Sequence, residues 1–419
     1  MSPQQLSGSP SIIALADMYL SLRAATVLVL TAALAAAQTP TSQPSSPSPA
    51  SSQYASQTAK PNLPANYVDD STCQSCHQDK VENFHHTSHY LTSRVPQPAS
   101  IFGKFTPDAN VMKTSKPELF FRMEQKEGGF FQTAVEGTEP LLTSRTERFA
   151  FVVGSGGKGQ TYLYWKGDDL FQLPVSYWTE LGWVNSPGYR DGVANFSRPI
   201  IPRCLECHAT YFEQTPPPSY RYSKTGFIVG ITCEKCHGPG RDHAQCLAAK
   251  SQAGASSAIL NPARFSRDRQ MDLCAWCHAG AGSPLQPSFS YVPGEALDKY
   301  LRLPQPDPSA PVDVHGSQVE MLERSRCFQQ SAMTCLTCHD VHTVQHDLAA
   351  FSQRCLSCHK PESATFPKQG HKAASDCISC HMPLQETNLI VFDQNGKKSR
   401  PKVRNHWIKT YSEVATPPL

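Results

Sequence analysis

Short α-helices and loops wrapped around stacked, covalently held groups, with one β-rich insertion, are the fold class this 419-residue sequence predicts. Three observations predict it. Cys-x-x-Cys-His occurs seven times, starting at Cys73, Cys204, Cys233, Cys274, Cys335, Cys355 and Cys377. From residue 201 onward the chain is rich in Pro and turn residues and poor in the periodic apolar runs that build an ordinary core. Residues 101–200, by contrast, hold aromatic and β-branched runs with strand character.

In chain order, AATVLVLTAALAAA at 24–37 follows Arg23 and ends in small residues. It reads as a secretory signal peptide over 1–37, too short to span a bilayer. Residues 38–62 are Ser/Pro-rich and lack the side chains for a core, so a disordered linker is expected there. Export puts the mature protein in the periplasm or outside the cell, and no later apolar run reaches membrane length. A formal charge of +3 without a basic tract argues against nucleic acid as a partner.

The repeated motif decides the class. Cysteines three apart lie on one face of a helical turn, where both can form thioethers to the vinyl groups of one haem. The next residue then falls under the iron as an axial ligand. Chance would supply roughly 0.02 copies in such a chain, so seven copies specify seven covalently bound c-type haems. The thioether positions are Cys73, Cys76, Cys204, Cys207, Cys233, Cys236, Cys274, Cys277, Cys335, Cys338, Cys355, Cys358, Cys377 and Cys380. The proximal ligands are His77, His208, His237, His278, His339, His359 and His381. Zinc or a redox dithiol would leave unexplained a histidine after every pair in an exported chain. Cys246 and Cys327 remain, either as a disulfide or as buried thiols.

These positions divide the chain into a first haem segment at 63–100, the β-rich insertion at 101–200 and a hexahaem region at 201–419. Within the insertion, FFRMEQKEGGFFQTAVEG reads as strand, Gly-Gly turn, strand, and ERFAFVV, TYLYW and LFQLPVSYW read as further strands. GSGGKG at 154–159 matches GxGxxG literally, but a strand-like QTYLYW follows where a dinucleotide site needs a helix. It is read as a β-turn.

Nine histidines lie outside the motifs: His85, His86, His89, His243, His315, His342, His346, His371 and His406. Nine against seven irons allows every iron two axial ligands. His243 follows its own motif by six residues across Gly238-Pro239-Gly240, a span of at most ~20 Å that the turn folds back. Reaching the far face of its own haem would strain the chain, so a neighbouring haem is its expected target. Met333 and Met382 sit too close to motifs to cross an iron and are read as packing.

CQSCHQDKVENFHHTSH, CEKCHGPGRDH, CLTCHDVH, HKAASDCISCHMP and the late RNHWI resemble the multihaem c-type cytochromes of the cytochrome c-554 and hydroxylamine oxidoreductase group. The resemblance covers roughly 65–98 and 200–410. It implies distal ligation by His89, His243, His342, His371 and His406. His315 is the sixth choice, and His346, His86 and His85 compete for the seventh.

The function expected is electron transfer along mostly bis-histidine haems, in respiration or outside the cell. Redox proteins, including other multihaem cytochromes, are the expected partners, and a homo-oligomer or filament is compatible. The alternative is an oxidoreductase acting on a small nitrogen or sulfur oxyanion at one five-coordinate haem, with His85 and His86 as proton donors. Carrier is favoured over enzyme.

Overall fold

The computed structural model describes residues 64–126, 128–215, 220–249, 254, 258–304, 311–360 and 376–411. The signal-peptide and linker readings, and His371, lie outside the described residues.

The β-rich part forms from alternation. In β3 (Leu119–Lys126), Leu119, Phe121 and Met123 point inward at every second position. β3 pairs antiparallel with β4 (Gly129–Glu136), Phe121 opposite Ala134 and Lys126 opposite Gly129. Gly128, at φ +69°, takes the left-handed conformation this tight turn requires. With β2 (Val111–Lys113) and β5 (Thr143–Arg148) these strands form a four-stranded sheet, ordered β2-β3-β4-β5.

A second sheet contains β1 (Ser93–Arg94), β6 (Phe151–Val153), β7 (Gly159–Lys166), β8 (Asp169–Gln172), β9 (Val175–Trp178) and β10 (Gly182–Asn185). Its order is β1-β6-β7-β9-β10, with β8 paired to β7. GSGGKG is the β6–β7 connection. LFQLPVSYW is two strands rather than one, parted near Pro174, which has no N–H to give a ladder.

The two sheets share one core of Met112, Phe121, Met123, Phe149, Tyr162, Tyr164, Val175, Trp183 and neighbours. Fully buried Gln132 crosses between them. Its amide donates to the Val175 carbonyl at 3.1 Å, and its carbonyl accepts from the Val175 N–H at 2.9 Å. Both polar ends are thereby satisfied inside the core.

The motif helices are short and several end on their own histidine. They include α2 (Pro202–His208), α3 (Cys233–His237), α5 (Arg267–His278) and α9 (Cys377–His381). The longest, α1 (Asp70–Phe84), is capped by Asp69 and loses helical geometry at His77. Between them lie α4 (Arg241–Ala248), α6 (Gln318–Glu323), α7 (Arg326–Gln329) and α8 (Leu348–Leu356).

A mainly helical haem region is not what the structure shows. Strand pairs continue past residue 201: β11 (Ala209–Gln214) with β12 (Tyr222–Val229), β13 (Ser283–Pro284) with β14 (Leu301–Arg302), β15 (Leu384–Glu386) with β18 (Lys402–Arg404), and β16 (Phe392–Gln394) with β17 (Lys397–Ser399). Segments too short for a stable helix satisfy their backbone groups by pairing instead. In β11–β12, stacked Phe212 and Phe227 rings 5.4 Å apart add packing. The β16–β17 hairpin returns to β10, where the Asn185 amide donates to the Asp393 carbonyl.

Candidate haem-binding sites

Three motif histidines each face a histidine from elsewhere in the chain. The ring centres of His89 and His278 are 6.1 Å apart, those of His237 and His342 6.1 Å, and those of His339 and His406 6.4 Å. Two metal–nitrogen bonds of about 2 Å, each followed by about 1.1 Å to a ring centre, place imidazoles about 6 Å apart across one metal ion. The donor chemistry and the separation therefore fit an iron between each pair. His208 and His315 also sit close enough that a charge on His315 opposes one on His208.

Main-chain carbonyls orient three of the rings. His237 Nδ1 lies 2.8 Å from the Leu260 carbonyl, His381 Nδ1 3.0 Å from the Lys409 carbonyl, and His406 Nδ1 3.1 Å from the Arg404 carbonyl. A carbonyl can only accept, so Nδ1 carries the proton and Nε2 keeps its lone pair. Desolvation by the surrounding chain depresses the pKa of His89, His208 and His406 to about 4, and lowers that of His278, His315, His339 and His342. At neutral pH these imidazoles hold a lone pair rather than a second proton.

The remaining candidates are placed as follows. His243 is half-buried in the first turn of α4. His85 stacks on Tyr90 with ring centres 4.0 Å apart, and its Nε2 lies 3.3 Å from Asp70. His86 and His346 are exposed. Met333 packs against the cluster built on α5. Cys246 on α4 and Cys327 on α7 are both half-buried and are not bonded to one another in this structure.

Motifs distant in sequence adjoin at their cysteines. Cys73 meets Cys233, Cys207 meets Cys277, Cys274 meets Cys335 and Cys355 meets Cys377. Ligand atoms of Asp70, Cys73 and Cys233 lie within 4.8 Å of one another. Two of those three are thioether positions, so the grouping marks where two motifs touch. The guanidinium of Arg354, beside Cys355, donates to the Cys338 carbonyl and joins the fifth motif to the sixth. Lys235 Nζ stands 3.9 Å from the centre of the Trp276 ring, joining the third to the fourth. Every motif thus has a neighbour, and the series 1-3-4-5-6-7, with 2 beside 4, is unbroken.

Charged residues within and beside two motifs are buried. Buried Arg203 and Glu206 pair at 3.4 Å, Glu206 accepts from the Phe289 N–H at 2.8 Å, and Arg203 also donates to the Trp276 carbonyl. Burial pushes Lys235 down to about 8. Glu206 inside CLECH and Glu234 and Lys235 inside CEKCH were the available signal.

This geometry fits a chain that holds several c-type haems. Residues 192–238, which hold the second and third motifs, match the family described as cytochrome c554 and c-prime. In fold, the chain is similar to the crystal structure of the outer cell wall cytochrome OcwA, with a TM-score of 0.50 and 19% identity over 82% of this chain and 80% of that one. No curated protein matches by sequence. Among the described residues, no helix is long and apolar enough to cross a membrane.

Proposed function

We propose that the chain is an exported heptahaem electron carrier, of the c-554 and hydroxylamine oxidoreductase type, in which electrons move between closely packed haems. The unbroken series of adjoining motifs carries this reading, because transfer requires each centre to lie near the next. When bound, haem supplies a reversible one-electron couple at iron. Two cysteines of each motif would hold a macrocycle, and paired imidazoles would supply ligands to its iron. His89 is assigned opposite His278, His342 opposite His237, His406 opposite His339 and His315 opposite His208. His243 and His371, with one of His346, His86 and His85, are assigned to the haems of His77, His359 and His381. Two imidazoles leave an iron no site for a substrate, so these centres pass electrons without binding one. The similarity to a cell-wall cytochrome supports work outside the inner membrane with redox proteins as partners, and the β-rich part offers such a partner a rigid face.

Intact mass and the pyridine haemochrome spectrum should count seven haems. EPR of the ferric protein should show low-spin iron, with optical spectra unchanged by CO or nitrite. A high-spin signal abolished by either ligand would replace the carrier with an oxidoreductase acting at an open haem.

A further inference from the structure

We infer that Thr92 sets the reduction potential of the haem attached at Cys204 and Cys207, by accepting a hydrogen bond from its axial histidine. This rests on the proposed ligation of iron by His208. The Thr92 hydroxyl lies 2.9 Å from His208 Nδ1. With Nε2 on iron, Nδ1 carries the proton, so the ring donates and the hydroxyl accepts.

Neighbouring contacts fix this geometry. The Ser93 hydroxyl donates to the His208 carbonyl at 2.5 Å and accepts from the Gly230 N–H at 2.9 Å. The Thr92 carbonyl accepts from the Gly154 N–H at 2.6 Å, and Ser93 pairs with Val153 in β1–β6. Consecutive side chains therefore hold His208 at its ring and at its backbone. His237 and His381 differ, because each donates to a main-chain carbonyl that no substitution removes. At His208 the acceptor is a side chain, which makes its contribution separable.

Oxidation of the iron draws electron density from the imidazole and strengthens Nδ1–H as a donor. An acceptor there stabilises the ferric state more than the ferrous and lowers the potential. Thr92→Val keeps the shape and deletes the acceptor. Thr92→Ser keeps the acceptor and deletes a methyl group.

Spectroelectrochemical titration of the full holoprotein tests this, with haem content checked by mass. In Thr92→Val one midpoint should rise by a roughly tenfold change in the reduction equilibrium, ~59 mV for one electron. In Thr92→Ser all midpoints should stay near those of the parent, and both variants should remain low-spin by EPR. An unchanged Thr92→Val titration with full haem content would overturn the proposal, as would Thr92→Ser shifting as far as Thr92→Val. A parent protein whose 204–208 peptide carries no haem would instead overturn the ligation on which it rests.

Discussion

Residues 93–200 and residues 202–411 bury different things. Of the twelve largest fully buried side chains, nine lie in the first region, among them Tyr162, Tyr164, Phe121 and Met123. The buried polar residues there are neutral, such as Gln132, Gln160 and Ser176. Among the described residues, the buried charges all fall in the second region, at Arg203, Glu206, Glu234 and Lys235, within or beside two haem motifs. The two sheets of the first region close over one apolar core, and a second cluster joins Phe151, Leu163 and Leu170 to Leu205, Phe212 and Tyr222 of the second region. The second has a smaller cluster built on α5, and elsewhere its short elements are held by loop carbonyls, strand pairs and ion pairs, where groups held at the cysteines would add apolar mass. The order of the second region should therefore depend more on haem attachment than that of the first.

The largest effect follows directly. Protein made without haem attachment should lose ordered structure across 202–411 while 93–200 persists. Limited proteolysis with peptide mass mapping reads this: cuts should concentrate after residue 201, and a fragment spanning the two sheets should survive. Uniform cleavage would erase the distinction between the regions.

A crossed pair of substitutions sharpens the same contrast. Phe121→Ala empties part of the shared core and should cost about 3–5 kcal/mol in denaturant unfolding, with the haem spectrum unchanged. His406→Ala should do the reverse, converting one ferric haem to high-spin by EPR with much less loss of stability. A haem change in Phe121→Ala would show that the sheets and the haems form one cooperative unit.

The two regions also differed in how far sequence could describe them. The β3–β4 hairpin was legible because alternating burial and a Gly turn are local properties. The attachment motifs were legible for the same reason. Which histidine faces which motif is set by contacts such as that of His89 with His278, 189 positions apart, to which spacing is blind. The β11–β12 pair was hidden by its surroundings, since a Pro-rich segment between motifs reads as loop until a partner strand is found. Thr92 carried no signal at all, because a threonine acquires a role only when a distant imidazole is brought against it.

The smallest effect concerns Glu234, whose burial is the haem region's alone. One of its oxygens accepts from the Val68 and Gly240 N–H groups at 2.9 and 2.8 Å, and the other has no hydrogen-bond partner among the described residues. Burial raises its pKa from 4.5 to about 7, with Asp70 and Asp69 adding to the rise and the two N–H groups opposing it. The folded state therefore binds a proton that the unfolded state releases. The stability gained from that proton is complete below about pH 4.5 and is lost as pH rises through about 7. Glu234→Gln keeps an oxygen for both N–H groups and removes the titration. Urea midpoints should then fall less between pH 5 and pH 8 in Glu234→Gln than in the parent. Equal falls would mean that Glu234 is ionised across this range and that solvent reaches the join between the first and third motifs.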